Sequence, residues 1–190
     1  DVGSEDCHGQ ALWALGFCVG NVGNGSFHLL AAELFEKALP VAVNFTSPRA
    51  WALTLIGIDK YLKRLSGDRR AHQIRESLMA KLMQRYADAS SDDWHWFEDM
   101  LSYANAKLSH SLILSGKCTN NTHALETGLK TLRWLVKLQT SDAGSFRPVG
   151  SNGFFQKGQV RAIFDQQPIE AQATVSACIE AYYATGDISW

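Results

Sequence analysis

No stretch of this 190-residue chain is apolar for long enough to cross a bilayer as a helix. Charge of either sign is also in balance, with 18 Lys and Arg against 19 Asp and Glu and a formal net charge of −1. A phosphate backbone is bound through a basic surplus, so this composition argues against nucleic acid as a partner. Cysteine is scarce: Cys7, Cys18, Cys118 and Cys178 are scattered, with no CxxC pair and no His at zinc-ligand spacing. That pattern predicts reduced thiols in a cytoplasmic protein that holds no metal or other cofactor. The polar, acidic N-terminus (DVGSEDCHGQ) does not have the form of a signal peptide. Asn24, Asn44 and Asn120 each open a short glycosylation-acceptor pattern of a kind that also arises by chance.

Alternating strand patterns are nearly absent as well, which leaves an all-α class. Residues 8–19 are apolar almost all round, and a second helix covers 27–39 up to Pro40. Ser47-Pro48 opens a third helix, with Ser as N-cap and Pro at the first helical position. The fourth puts Ile74, Leu78, Leu82 and Tyr86 on one stripe opposite Arg75, Lys81 and Arg85. The fifth is expected over 98–114, with Asp93 able to cap it, and the sixth over 122–138. A long loop over 141–167 has turn chemistry at Ser151-Asn152-Gly153 that suits a small β-hairpin, and Pro168 opens the seventh helix. The odd-numbered helices are apolar on most faces and rich in small residues, while the even-numbered ones carry a single apolar stripe. That alternation predicts an inner and an outer set of helices in one domain spanning residues 1–190.

The loops that lead into the inner helices (1–7, 41–47, 87–97 and 141–167) are long, acidic or aromatic, so any functional surface should lie at that end. The densest of them runs into the fifth helix as SSDDWHWFEDMLSYANAKL, where carboxylates interleave with Trp94, Trp96 and Phe97. A sugar packs its CH face on an aromatic ring and bonds its hydroxyls to acids and amides, so this mixture suits a carbohydrate. The structural alternative is a Trp-rich segment that simply packs into the core.

EDCHGQALWALG (5–16), DDWHWFEDMLSYANAKL (92–108), SFRPVG (145–150) and FDQQPIEAQATVSACIEAYYATGD (164–187) resemble the six-hairpin glycosidase-like (α/α) toroids. Within that group the likeness is to the helical domain that accompanies bacterial glycosyltransferases and mannoside-processing genes. The resemblance implies an (α/α) toroid of helical hairpins and a carbohydrate-related role. The chain supplies about three and a half hairpins at roughly 50 residues each, so it reads as an incomplete six-hairpin barrel, such as the C-terminal part of a longer toroid. By position, Asp93, Glu98, Asp165 and Glu170 stand where such enzymes place catalytic acids. Glycoside cleavage uses one protonated carboxyl and one carboxylate. Glu5, Asp6, His8, Trp94, Trp96, Tyr103, Asn105, Gln166 and Gln167 are the candidate sugar contacts. The implied partners are an oligosaccharide or glycoside and either a glycosyltransferase domain or the rest of the toroid.

The competing reading is a non-catalytic carbohydrate-binding or scaffold module. Isoprenoid chemistry on a toroid wants more than Asp92-Asp93, and an epimerase would have to use His8 and His95. The glycine-rich loop over 20–25 follows a helix rather than a strand, which is the wrong context for binding phosphate, and no G-x-S-x-G elbow is present.

Overall fold

In a computed structural model the chain is described over residues 3–21 and 25–190. The glycine-rich loop and the acceptor pattern at Asn24 therefore lie largely outside the described residues. Among the described residues seven α-helices carry the fold: α1 (Glu5–Gly20), α2 (Gly25–Ala38), α3 (Pro48–Leu62), α4 (Arg69–Ala89), α5 (Ala106–Thr119), α6 (Thr122–Leu138) and α7 (Pro168–Thr185). A 3-10 turn over Leu39–Asn44 follows α2, because Pro40 can occupy a first turn but cannot continue the preceding helix. The fold is all-α with one small two-stranded antiparallel sheet, as the sequence pattern predicts.

The helices form two rows. Along the inner row α1 packs on α3, α3 on α5, and α5 on α7, while α2, α4 and α6 back α1, α3 and α5 from outside. α3 is buried along almost its whole length and α5 from Ala106 through Gly116. α1 and α7, at the two ends of the row, bury one face each. The apolar faces left open there include Phe17 on α1, and Val175, Ile179, Tyr182 and Tyr183 on α7. α2 adds Phe27, Leu29, Leu30 and Leu34 at its own edge. An inner helix needs neighbours on two sides, and an end helix has only one. Trp190 lies beside that open face of α7, in a cleft lined by Thr174, Val175, Cys178, Ile179 and Tyr182. The four cysteines are free, two on α1 and one each on α5 and α7.

The fifth helix starts later than its pattern suggests, at Ala106 rather than at 98. Residues 98–105 instead contain strand β1 (Met100–Leu101), which pairs with β2 (Phe155–Gln156). The turn at Ser151-Asn152-Gly153 is present, with the Phe154 amide donating to the Gly150 carbonyl at 3.1 Å. The strand that follows the turn pairs outside its own loop, however, and so clamps the 141–167 loop to the approach to α5. Ala104 then turns the chain with a positive φ of 48° immediately before the helix. Asp93, exposed in a turn closed between Ser91 and Trp94, is far from capping the helix.

α1 and α3 approach so closely that their backbones touch at glycines. A Cβ at Gly57 would lie 2.6 Å from the carbonyl oxygen of Leu12, and backbone cannot swing aside as a long side chain can. Gly57→Ala should therefore lower stability by about 1–3 kcal/mol, the usual scale of overpacking. Urea unfolding of the two proteins measures the difference, and equal midpoints would show that the helices separate freely.

Candidate functional site

The starts of all four inner helices meet at one end of the row, and polar side chains tie each to the next. The Ser4 hydroxyl caps α1 by accepting from the Cys7 amide. Glu5 and Asp6 then reach across to α3. The Glu5 carboxylate accepts the amides of Ser47 at 2.7 Å and Thr46 at 2.8 Å. These bonds, that from Ser47 foremost, hold the Glu5 carboxyl below its ordinary pKa. Ser47 caps α3, accepting from the Ala50 amide, and donates its own proton to Asp6 at 2.7 Å.

Arg49, 5% exposed, is the hub. Its Nε donates to the Tyr103 carbonyl at 2.7 Å, one Nη to the Glu98 carboxylate at 2.6 Å, and the other to Asn105 Oδ1 at 3.3 Å. A cation in the first turn of a helix stands at the positive end of the dipole. A buried one is stable only when its donors are satisfied. The three acceptors meet both demands.

Asn105, fully buried, passes the chain of bonds onward. Its Oδ1 also accepts the Ser102 amide, and its Nδ2 donates to the Ser102 carbonyl and, at 2.9 Å, to the Glu170 carboxyl. The Asn105 side chain therefore shapes the turn before α5 rather than capping that helix. Glu170, in the first turn of α7, is 1% exposed. Burial pushes its carboxyl up in pKa, against the bonds from Asn105 that favour the charged form.

Tyr103, 42% exposed, stands over this network. Its hydroxyl donates to Asp6, and the Arg49 guanidinium lies 4.8 Å from the ring centroid. Burial and the Asp6 acceptor push the phenol up to about 12. The side chain is thus held at two points while the residue stays partly open to solvent.

Glu5, Asp6, Glu98, Tyr103, Asn105 and Glu170 are brought together in this way. Trp94 and Trp96 are close in sequence but are 5% and 0% exposed, so neither offers a free face to a sugar. Trp94 sets its ring edge-on to Trp134 and Phe155 and donates Nε1–H to the Glu98 carbonyl at 2.8 Å. Trp96 stacks on Trp134. Their part is to fasten the 91–105 segment to α6 and β2. His8 bonds the Ala38 carbonyl at 2.9 Å and packs on Phe45, tying α1 to the end of α2. Asp165, Gln166 and Gln167 are exposed in the long loop, where their hydrogen bonds go to Ser151, Ile163 and the loop's own backbone. His95 lies against the Trp134 ring.

Arg49 and Thr46 are members that sequence reasoning passed over, and Ser47 was read only as the N-cap of α3. The signal was there for Arg49, which is the one charge in an otherwise apolar helix start. Among the described residues, no group of three or more His, Cys, Asp or Glu side chains is placed to hold a metal ion. No described helix is long and apolar enough to cross a membrane. No protein-family model, curated protein or solved structure matches the chain.

The Glu170 environment has a consequence for stability. The folded state holds this proton more tightly than the unfolded chain does. Folded molecules therefore bind more protons than unfolded ones between the ordinary Glu value of about 4.3 and the raised folded value. Stability should fall as pH rises through that window. Glu170→Gln should flatten the fall, measured by urea unfolding at a series of pH values. An identical slope in the variant would show that Glu170 is not the group responsible.

Proposed function

We propose that the mouth formed by the inner-helix starts is a saccharide-binding site, and that the chain is a carbohydrate-recognition domain rather than a hydrolase. The observation that carries this reading is Tyr103, a half-exposed ring fixed by Arg49 and Asp6 and bordered by carboxylates. A ring already held in place stacks on a sugar's CH face with little loss of side-chain entropy. Asp6, Glu5 and Glu98 keep lone pairs that can accept sugar hydroxyls beside it.

Binding is favoured over turnover because each carboxylate is already committed to a protein donor. Glu5 is held by the Thr46 and Ser47 amides, Asp6 by Ser47 and Tyr103, and Glu98 by Arg49. A general base works best with a pKa near the working pH, whereas the Ser47 and Thr46 amides hold the Glu5 carboxyl below its ordinary value. One observation supports the catalytic alternative. Glu170 has the raised pKa of a general acid, with Glu98 joined to it through Arg49 and Asn105. In either case a glycosyltransferase domain is the partner proposed for the module, with an oligosaccharide or glycoside as the ligand.

Titration calorimetry with mannose- and glucose-containing oligosaccharides tests the reading. Wild type should bind at least one of them, and Tyr103→Ala should weaken that binding about 10-fold or more, roughly 1.4 kcal/mol. Tyr103→Phe, which keeps the ring, should retain most of it. Equal binding by wild type and Tyr103→Ala would remove Tyr103 from the site. Release of reducing ends by wild type, lost in Glu170→Gln, would replace the binding module with a hydrolase.

A further inference from the structure

Two buried side chains of α5 have polar atoms that the packing leaves unsatisfied. Lys107 is 2% exposed, and its Nζ has no hydrogen-bond partner among the described residues. His110, one turn further along the same face, is 8% exposed with an unpartnered Nδ1. Lys37 pairs with Glu33 on α2, and Lys60, Lys63 and Lys117 sit at the opposite end of the inner row beside Asp59 and Glu180. Lys107 instead lies 4.3 Å from the ring centroid of Trp13, a half-buried residue of α1 that covers it.

We propose that Lys107 is a reactive amine that takes a small aldehyde or ketone as a Schiff base, with Trp13 as the apolar cover and His110 as the neighbouring hydrogen-bonding group. This inference does not depend on the saccharide site at the mouth.

The chemistry follows from the surroundings. A buried ammonium without an acceptor is destabilised relative to the neutral amine, and a desolvated lysine is the usual form of a carbonyl-binding one. Burial brings Lys107 down to about 8. The Trp13 face opposes that by favouring the cation. Burial takes the His110 imidazole down to about 3, helped next by the Lys107 charge and then by Lys60 of the adjacent helix α3, with Asp59 of that helix opposing. His110 is therefore neutral and adds no second positive charge beside the amine.

The reaction starts from the neutral amine. Its lone pair attacks the carbonyl carbon, and a proton passes to the oxygen to give a carbinolamine. The C–O bond then breaks and the hydroxyl leaves as water after taking up one proton. Net, an ammonium and a carbonyl become an iminium and water, so charge is conserved and no electrons are exchanged. The iminium keeps its positive charge over the Trp13 face, and His110 Nδ1 is available to accept from the carbinolamine hydroxyl.

Brief exposure of the whole chain to glycolaldehyde and cyanoborohydride at pH 7, followed by peptide mass spectrometry, tests the proposal. At a pKa of 8 about one amine in ten is neutral at pH 7, against roughly one in 2,500 at 10.4. Even with access slowed by Trp13, Lys107 should gain the reduced adduct about 10-fold faster than Lys60, Lys63 or Lys117. Lys107→Arg should lose that adduct and leave the others unchanged. Labelling of Lys107 no faster than those three would overturn the proposal. Trace acetylation of the wild type between pH 6 and 11 gives an answer that does not require the variant to fold. A Lys107 midpoint near 8 is expected, and one near 10.4 would overturn the proposal equally.

Discussion

The bond from Ser47 to Asp6, together with the bonds from Arg49, two residues further along α3, to Asn105 and from Asn105 to Glu170, is the constraint on which the inner row depends. It joins the starts of α1, α3, α5 and α7, so the four helices run parallel with their positive dipole ends together. Parallel dipoles side by side repel, and a cation such as Arg49 at the same end adds to the cost. Glu5, Asp6, Glu98 and Glu170 supply the opposite charge or its hydrogen-bonding equivalent. The concentration of acids at this mouth therefore has a structural cause before any ligand is considered. Tyr103 is the member that the helix starts do not need, since a smaller side chain would leave Arg49 its Tyr103 carbonyl, Glu98 and Asn105 acceptors.

Two different devices hold the row together along its length. Near the α1–α3 contact the helices meet through glycines, where backbone atoms come within van der Waals reach and no side chain intervenes. Gly116 and Gly128 make the same kind of close contact between α5 and α6, whereas around the 91–105 segment large aromatic rings fill the space: Trp94, Trp96, Phe97, Trp134 and Phe155 form one connected group. The aromatic device accounts for the burial of the tryptophans. They are needed to pin down a segment that has only two residues of strand and no helix until Ala106.

This explains what could be read in the sequence and what could not. The two-row alternation is visible because it rests on periodicity: a helix buried on both sides must lack a polar stripe, as α3 does. The caps at Ser47 and Pro168 are equally local. The boundary at Ala106 is not, because residues 98–105 have helix-compatible composition and are pulled out of helix by Phe155 and Gln156, more than 50 positions away. The role of Trp94 and Trp96 was ambiguous for a related reason. An aromatic ring beside carboxylates looks the same in sequence whether it faces solvent or Trp134. Asp165, Gln166 and Gln167 share with Glu170 the 164–187 segment whose resemblance marks them as site candidates, yet Pro168 begins a helix that takes Glu170 inward and leaves its neighbours in the loop.

The inner row divides into two chemical zones, and the division bears on how its stability is distributed. At the mouth the polar atoms of Arg49 and Asn105 have partners, so burial there costs little beyond ordering the side chains. Deeper in, Thr54 on α3, Lys107 and His110 on α5, and Thr174 on α7 each keep an unpartnered polar atom. Arg49 and Asn105 are hydrogen-bonded, as are Asn105 and Glu170, which sets the register of α3, α5 and α7. Thr54, His110 and Thr174 follow those residues by five, five and four positions, at a common depth of about 6–7.5 Å along the helices. Each unsatisfied group costs about 1–3 kcal/mol, and native interiors contain few of them. The apolar packing along α3 and α5 has to offset that cost, and this gives the close α1–α3 contact at Gly57 an importance beyond its own pair of helices.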